Sequence, residues 1–160
     1  MTVVRPRVVS LIGGSACTPS QAQDAEAVGR LLAERGIILV CGGRTGVMEA
    51  ACRGAVEVGG TTIGILPGDS PSEGNPYLTV ALPTGLGHAR NMLVVLAGEA
   101  VIAIGGGPGT LSEIGFALKV KRRVIALDSW TASDFAGDQA PILTAQSPED
   151  AVEFALAKEV

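Results

Sequence analysis

Short apolar runs rich in β-branched residues alternate along the chain with segments in which apolar residues recur at helical spacing. The apolar runs predict buried strands at 8–12, 37–40, 61–66, 101–104 and 124–127, with shorter extended segments at 78–82 and 142–143. Helical patterns fill the intervals at 19–35, 47–58 and 88–97, from the 105–110 loop to about 122, and after 147. This alternation predicts a single α/β domain over residues 1–160, a Rossmann-like three-layer fold with a mostly parallel, doubly wound sheet.

Cap residues predict where helices begin. The segment Thr18-Pro-Ser-Gln21 has the spacing of a capping box with proline at the first helical position. Thr45 is expected to cap the helix at 47–58. The extended segment at 78–82 has no assigned place in the sheet, because the preceding loop is short for a standard parallel crossover.

Charge and composition narrow the function classes. The 160 residues carry 12 Lys+Arg against 16 Asp+Glu, a net charge of −4, which offers no basic footprint for nucleic acid. One His and 3 Cys, without a CxxC pair, are too few ligands for a zinc site, so no bound metal is expected. The longest apolar stretch, 92–104, is interrupted by Gly98 and Glu99, and the N-terminus has no signal-peptide pattern. We therefore expect a cytoplasmic protein with no membrane partner.

Glycine clusters follow several predicted strands, at 13–14, 42–43, 68 and 105–109. Open α/β sheets bind ligands at the carboxyl ends of their strands, where glycine lets backbone amides approach an anion beside a helix N-terminus. The predicted phosphate-binding residues are Gly14, Ser15, Gly42, Gly43, Arg44, Thr45, Gly46, Gly106, Gly107, Gly109 and Thr110. For Arg44, contact with phosphate and a purely local role in its turn are equally favoured.

The common nucleotide-binding motifs are absent from the sequence. There is no GxxxxGK[ST], which excludes a P-loop NTPase. The first turn, Gly13-Gly-Ser-Ala-Cys17, does not follow GxGxxG, and the second strand ends in Cys41-Gly-Gly rather than in an acid that would hold a ribose. A dinucleotide-dependent oxidoreductase is therefore disfavoured.

Three segments carry a family resemblance. Cys41-Gly-Gly-Arg-Thr-Gly-Val-Met48 resembles the GGGxxGLM loop of the LOG ("Lonely Guy", formerly lysine decarboxylase-like) superfamily. Gly105-Gly-Gly-Pro-Gly-Thr-Leu-Ser-Glu113 resembles its PGGxGTxxE signature, and Gly87-His-Ala-Arg-Asn-Met92 resembles its arginine-bearing helix. The sequences of these loops resemble the molybdenum-cofactor-carrier-like branch more closely than the LOG enzymes. In addition, His-Ala-Arg-Asn stands where LOG enzymes have His-Glu-Arg-Lys.

The resemblance implies a nucleotide-binding protein. In LOG enzymes the residues matched by Arg90 and Glu113 assist cleavage of an N-glycosidic bond in a nucleoside 5′-monophosphate, which releases a free base. A phosphoribohydrolase of this kind requires no cofactor. The alternative is a non-catalytic carrier of molybdenum cofactor or another phosphorylated ligand. In either case the partner is a small phosphorylated molecule: a nucleotide monophosphate, phosphate or molybdenum cofactor.

Other roles for these residues stay open. Thr110 and Glu113 also have the spacing of a capping box, in which the glutamate would only satisfy a backbone amide. His88, as a lone histidine, is more often structural than catalytic. The helix at 88–97 is apolar on nearly every side, which predicts, as the resemblance also implies, a homodimer or a dimer of dimers through this helix and the helix at 109–121.

Overall fold

Parallel pairing joins the strands within residues 1–158 into one sheet. The computed structural model describes residues 1–158. Its strands are β1 (Val8–Gly13), β2 (Ile38–Cys41), β3 (Thr62–Leu66), β4 (Val80–Pro83), β5 (Ala100–Ile104), β6 (Arg123–Leu127) and β7 (Ile142–Ala145). Its helices are α1 (Pro19–Glu34), α2 (Val47–Glu57), α3 (Arg90–Ala97), α4 (Pro108–Lys119) and α5 (Pro148–Leu156), with 3₁₀ turns at Pro71–Glu73 and Gly87–Ala89.

The sheet has 7 strands in the order β4-β3-β2-β1-β5-β6-β7. All neighbours run parallel, which confirms the predicted Rossmann-like α/β fold. The segment without an assigned place is the edge strand β4, which pairs with β3 in the register Ile63↔Val80. Its crossover contains only the short turn Pro71–Glu73, so a parallel connection forms here without a full helix. Strand order reverses between β1 and β5, at the centre of the sheet.

Two hydrophobic clusters cover the two faces of the sheet. One packs α1, α2 and α5 against strand residues such as Leu11, Leu39 and Ile102. The other packs α3 and α4 against the alternate residues of the same strands, including Ile12, Val40 and Val101. Since successive residues of a strand point to opposite faces, both faces of the central strands are buried. No helix within residues 1–158 is long and apolar enough to cross a bilayer.

The capping predictions have mixed outcomes. The capping box of α1 is confirmed, because the Thr18 side chain accepts from the backbone N–H of Gln21 and the Gln21 side chain accepts from that of Thr18. The second predicted cap is wrong: α2 begins after Gly46, and the Thr45 hydroxyl donates instead to the carbonyl oxygen of Ser15, 2.9 Å away. Thr45 therefore ties two strand-end loops together rather than capping the helix.

The capping-box alternative for Glu113 is also wrong. Helix α4 begins at Pro108, with Gly107 in the cap position and no side-chain cap. Thr110 consequently lies inside the first turn and Glu113 in the second. Proline favours the first helical position because its missing N–H is not needed there, and this preference moves the helix start three residues upstream of the one that a Thr110 cap would give. Glu113 is left free for another role.

Helices α1 and α2 cross with their backbones almost in contact. A Cβ added at Gly29 of α1 would collide with the carbonyl oxygen of Ala51, and one added at Gly54 of α2 would collide with that of Glu26. Both obstacles are main-chain atoms, which side-chain rotation cannot move. These glycines therefore set the distance between the two helices.

We expect Gly29→Ala to destabilise the protein by about 1–3 kcal/mol, because the helices must separate and repack. Gly115 of α4 is the matched control: it is also helical, but a Cβ added there meets no atom within 4 Å. Gly115→Ala should stabilise the protein by up to about 1 kcal/mol through helix propensity. Urea unfolding of both variants measures the difference, and equal effects would contradict this role of Gly29.

Candidate active site

A cavity of about 260 Å³ opens at the carboxyl edge of the sheet, between the ends of β1, β2 and β5. It brings both long glycine loops together, as predicted. The predicted residues that line it are Gly14, Ser15, Gly42, Arg90, Gly107, Gly109, Thr110 and Glu113. His88, Asn91 and Met48 complete much of its remaining wall.

Five predicted binding residues do not line this cavity. Arg44 and Thr45 line an adjoining cavity of about 430 Å³, which shares Ser15 and Arg90 with the first. Gly43 is buried against Leu66 and Gly64, and Gly46 lies against the backbone of Gly14 and Ser15; both shape the loop. Gly106 faces a separate cavity with Trp130, whose Nε1 donates to the Gly106 carbonyl oxygen at 3.0 Å.

Helices α2 and α4 begin at this crevice without a side-chain cap, and so does α3, after Ala89. Helix α2 starts after Gly46 and α4 after Gly107, and neither cap residue contributes a side-chain hydrogen bond. By contrast α1 and α5, which start outside the cavity, are capped by Thr18 and Ser147. The first amides of a helix have no intrahelical partner, and the helix dipole makes that end positive. The crevice is therefore arranged to bind an anionic group such as phosphate.

Arg90 lies over the backbone of Gly42. A Cβ on Gly42 would be 2.6 Å from Nη1 of Arg90 and 2.9 Å from its Cζ. Nη1 also donates to Oδ1 of Asn91 at 2.5 Å, whereas the buried Nε has no partner among the described protein atoms. Burial lowers the pKa of Arg90 from its usual value, while Glu113 favours the charged form. A half-buried cation thus faces the cavity with unused hydrogen-bonding capacity.

Glu113 faces Arg90 across the same cavity. Burial raises the pKa of its carboxyl to about 7, and the guanidinium of Arg90 offsets only part of this rise. Burial disfavours the charged form of a carboxyl, and a nearby cation favours it. The side chain is therefore poised between its neutral and ionised forms near neutral pH, a property common in acid–base and electrostatic catalysts.

An apolar cavity of about 400 Å³ continues from the first, between α3 and α4. The two share His88, Asn91, Gly109 and Glu113. The second is lined further by Ala89, Met92, Ser112 and Phe116. A polar, glycine-lined cavity beside an apolar one suits a ligand with a phosphate at one end and a planar ring at the other.

Asn91 and His88 were not among the predicted site residues, although both line all three adjoining cavities. In the sequence, Asn91 could have been identified because it stands where LOG enzymes usually have the lysine of His-Glu-Arg-Lys. Within residues 1–158, no group of three or more His, Cys, Asp and Glu side chains has an arrangement that could hold a metal ion.

Comparison with known proteins places this site in a family. A model described as the SLOG cluster4 family matches residues 6–152. The chain belongs to the SLOG cluster4 family. The molybdenum cofactor binding protein of the phototrophic bacterium Rippkaea orientalis is 37% identical, with a TM-score of 0.84 over 94% of this chain and 96% of that chain. The molybdenum cofactor carrier protein of Chlamydomonas reinhardtii is 35% identical, with a TM-score of 0.82 over 92% and 94%.

A shorter similarity connects this SLOG protein to an enzyme. The cytokinin riboside 5′-monophosphate phosphoribohydrolase of Rhodococcoides fascians is 36% identical over 95 residues, 57% of this chain and 48% of that protein. Together these relatives confirm the resemblance to the LOG-like superfamily and to its molybdenum-cofactor-carrier branch.

In this SLOG protein we expect Gly42→Ala to push the guanidinium of Arg90 out of position. The colliding atoms are the end of a flexible side chain, so the fold should persist. Losing one charge-assisted contact should weaken the binding of an anionic ligand such as inorganic phosphate about 10- to 100-fold. Calorimetric titration measures this loss, with Gly115→Ala as the control. Binding by Gly42→Ala equal to that of wild type would contradict the role assigned to Gly42.

The raised pKa of Glu113 predicts a pH-dependent stability. Between the ordinary pKa of 4.5 and the folded value of about 7, the native state binds more protons than the unfolded state. The free energy of unfolding should therefore fall as pH rises through this window, by at most about 3 kcal/mol. Glu113→Gln should lack this fall and gain stability relative to wild type between pH 5 and pH 8.

Urea unfolding at several pH values measures that difference. Glu153→Gln, a change at an exposed position of α5, is the control and should follow the wild-type curve. Parallel curves for wild type and Glu113→Gln would contradict the buried environment assigned to Glu113.

Proposed function

We propose that this protein is a nucleoside 5′-monophosphate phosphoribohydrolase, which hydrolyses an N-glycosidic bond and releases a free base. One observation carries the proposal: Arg90 and Glu113 face the same cavity as the uncapped start of α4, and Glu113 has no capping role. We further propose a single domain over residues 1–160 that works in the cytoplasm without a required cofactor.

The chemistry follows from the order of groups along the cavity. The 5′-phosphate binds the backbone N–H groups of Gly107, Gly109 and Thr110 at the start of α4, and Arg90 contacts phosphate or ribose oxygens. When the bond from C1′ to the base nitrogen breaks, its electron pair leaves with the base and positive charge builds on the ribose. Ionised Glu113 stabilises that charge or orients the attacking water. Water adds to C1′, and its proton is transferred to the departing base.

A carrier function is the second candidate. It is favoured by the extent of the similarity, since the carrier relatives match over more than nine-tenths of both chains and the hydrolase relative over about half. In this case the glycine loops bind the phosphate of molybdenum cofactor or of another phosphorylated ligand, and Glu113 serves only in binding. Both candidate functions use the same phosphate-binding loops, and they differ in whether the N-glycosidic bond of the ligand is broken.

Substitution of Glu113 separates these candidates. Glu113→Gln keeps the shape but removes the charge, so turnover should fall about 100- to 1,000-fold while AMP binding is largely kept. Arg90→Ala should weaken binding as well. Chromatography of a panel of nucleoside monophosphates detects free base, and thermal shift detects binding. Binding without free base from wild type would favour the carrier, and full turnover by Glu113→Gln would remove Glu113 from the mechanism.

We also propose that the protein is a homodimer, or a dimer of dimers, through α3 and α4. Met92, Leu93 and Leu96 on α3 are 48%, 40% and 43% exposed, and together they form an apolar surface beside the site. Val94 and Val95 of the same helix are buried against the sheet. A second copy covering the exposed side would bury both sides of α3, consistent with its nearly uniform apolar sequence.

The double change Leu93→Lys and Leu96→Lys should therefore yield monomers, because it places charges on the apolar surface. Light scattering at micromolar concentration should then give a mass near that of one chain, 16.2 kDa, against a multiple of it for wild type. Phe135→Lys, at a fully exposed aromatic outside this surface, is the control and should leave the mass unchanged. A monomeric wild type would contradict the proposal.

A further inference from the structure

Asn91 lies where the parts of the candidate site meet. It lines the glycine-loop cavity, the apolar cavity between α3 and α4, and the adjoining cavity at Arg44. It follows Arg90 in the first turn of α3, so its side chain is held by the helix rather than by a mobile loop. Neither the family match nor the proposed reaction assigns it a role.

The orientation of the Asn91 amide is fixed by its neighbour. A guanidinium has only donors, so the amide must present its oxygen to Arg90. Oδ1 accepts from Nη1 of Arg90 at 2.5 Å. The Nδ2 group must then face away from Arg90, and within residues 1–158 no protein atom accepts a hydrogen bond from it. Asn91 therefore offers a directed donor to the cavities it lines.

The position of this donor relative to a nucleotide follows from the cavities. With phosphate on the 107–110 loop and the base between Met92 and Phe116, the glycosidic bond lies at the junction of the two cavities. Asn91 and Glu113 both lie at that junction. In natural nucleosides an acceptor is bonded to a carbon next to the glycosidic nitrogen: N3 on C4 of a purine or O2 on C2 of a pyrimidine.

We propose that Asn91 is a specificity-determining residue whose Nδ2 donates a hydrogen bond to the base acceptor two bonds from the glycosidic nitrogen, N3 of a purine or O2 of a pyrimidine. The inference rests on the proposed function, since it needs a nucleoside monophosphate in the site. The same contact places a donor where electron density accumulates as the base departs. Asn91 thus has two roles: its Oδ1 accepts a hydrogen bond from Arg90 and holds it in place, and its Nδ2 donates a hydrogen bond to the base.

The test pairs a residue change with the removal of one ligand atom. AMP has the N3 acceptor, and 3-deaza-AMP has a C–H group in its place. Dissociation constants for both are measured by calorimetry in Glu113→Gln protein, so that cleavage does not consume the ligand. This Glu113→Gln parent should bind AMP at least about fivefold more tightly than 3-deaza-AMP, as expected for one hydrogen bond.

Adding Asn91→Ala or Asn91→Asp should bring the ratio of the two dissociation constants to about 1. Asn91→Asp is the sharper variant, because its carboxylate still holds Arg90 but has no donor for the base. Glu153→Gln, at an exposed position of α5 outside all these cavities, is the control and should keep the parent ratio. Loss of Arg90 positioning alone would weaken both ligands equally and leave the ratio unchanged.

The outcomes separate this inference from the proposed function. A preference for AMP that survives in the Asn91 variants, or that is missing from the parent, overturns the inference alone. If wild type neither binds nor cleaves any nucleoside monophosphate of the panel, the proposed function is overturned and the inference with it. Binding of AMP without cleavage of any member of the panel by wild type rejects hydrolysis, while the ratio of dissociation constants still decides the role of Asn91.

Discussion

The parallel pairing of β1 with β5 is the constraint on which the site depends. Because every strand runs the same way, all carboxyl ends lie on one edge of the sheet. The order reverses between β1 and β5, so α2 leaves toward one face and α4 toward the other. A crevice must open between them at this point, and the uncapped starts of both helices border it. The positive potential of the crevice therefore comes from topology before any charged side chain contributes.

Arg90 and Glu113 add opposed groups to that crevice. Burial disfavours the charge on each of them, and each favours the charge on the other. Their balance holds only while Arg90 stays against the Gly42 backbone, where Asn91 fixes one of its nitrogens. The part of the Glu113 electrostatics that comes from Arg90 thus depends on a glycine and an amide that carry no charge themselves.

Local patterns in the sequence predicted the helices, the strands and much of the candidate site. They were insufficient where contacts between distant segments determine the structure. The strands, the α1 capping box and the meeting of the two glycine loops could be predicted, because apolar runs and cap spacings act within a few residues. The start of α2 was assigned to Thr45, and a cap at Thr110 was left open for α4, but Thr45 bonds to a distant loop and proline sets the start of α4. The place of β4 depends on pairing with β3, which local spacing does not encode.

Carriage and cleavage make different demands on the same carboxyl. A phosphate bound at the start of α4 adds negative charge near Glu113 and therefore favours its neutral form, which also suits a carrier that holds a polar ligand. A ribose that develops positive charge favours the ionised form instead. A group with a pKa of about 7 changes between these forms at a small cost in free energy. In the cleavage reaction, Glu113 would therefore stabilise the transition state more than the bound ligand. The raised pKa of Glu113 is therefore consistent with a catalytic role, whereas the glycine loops serve either function equally well.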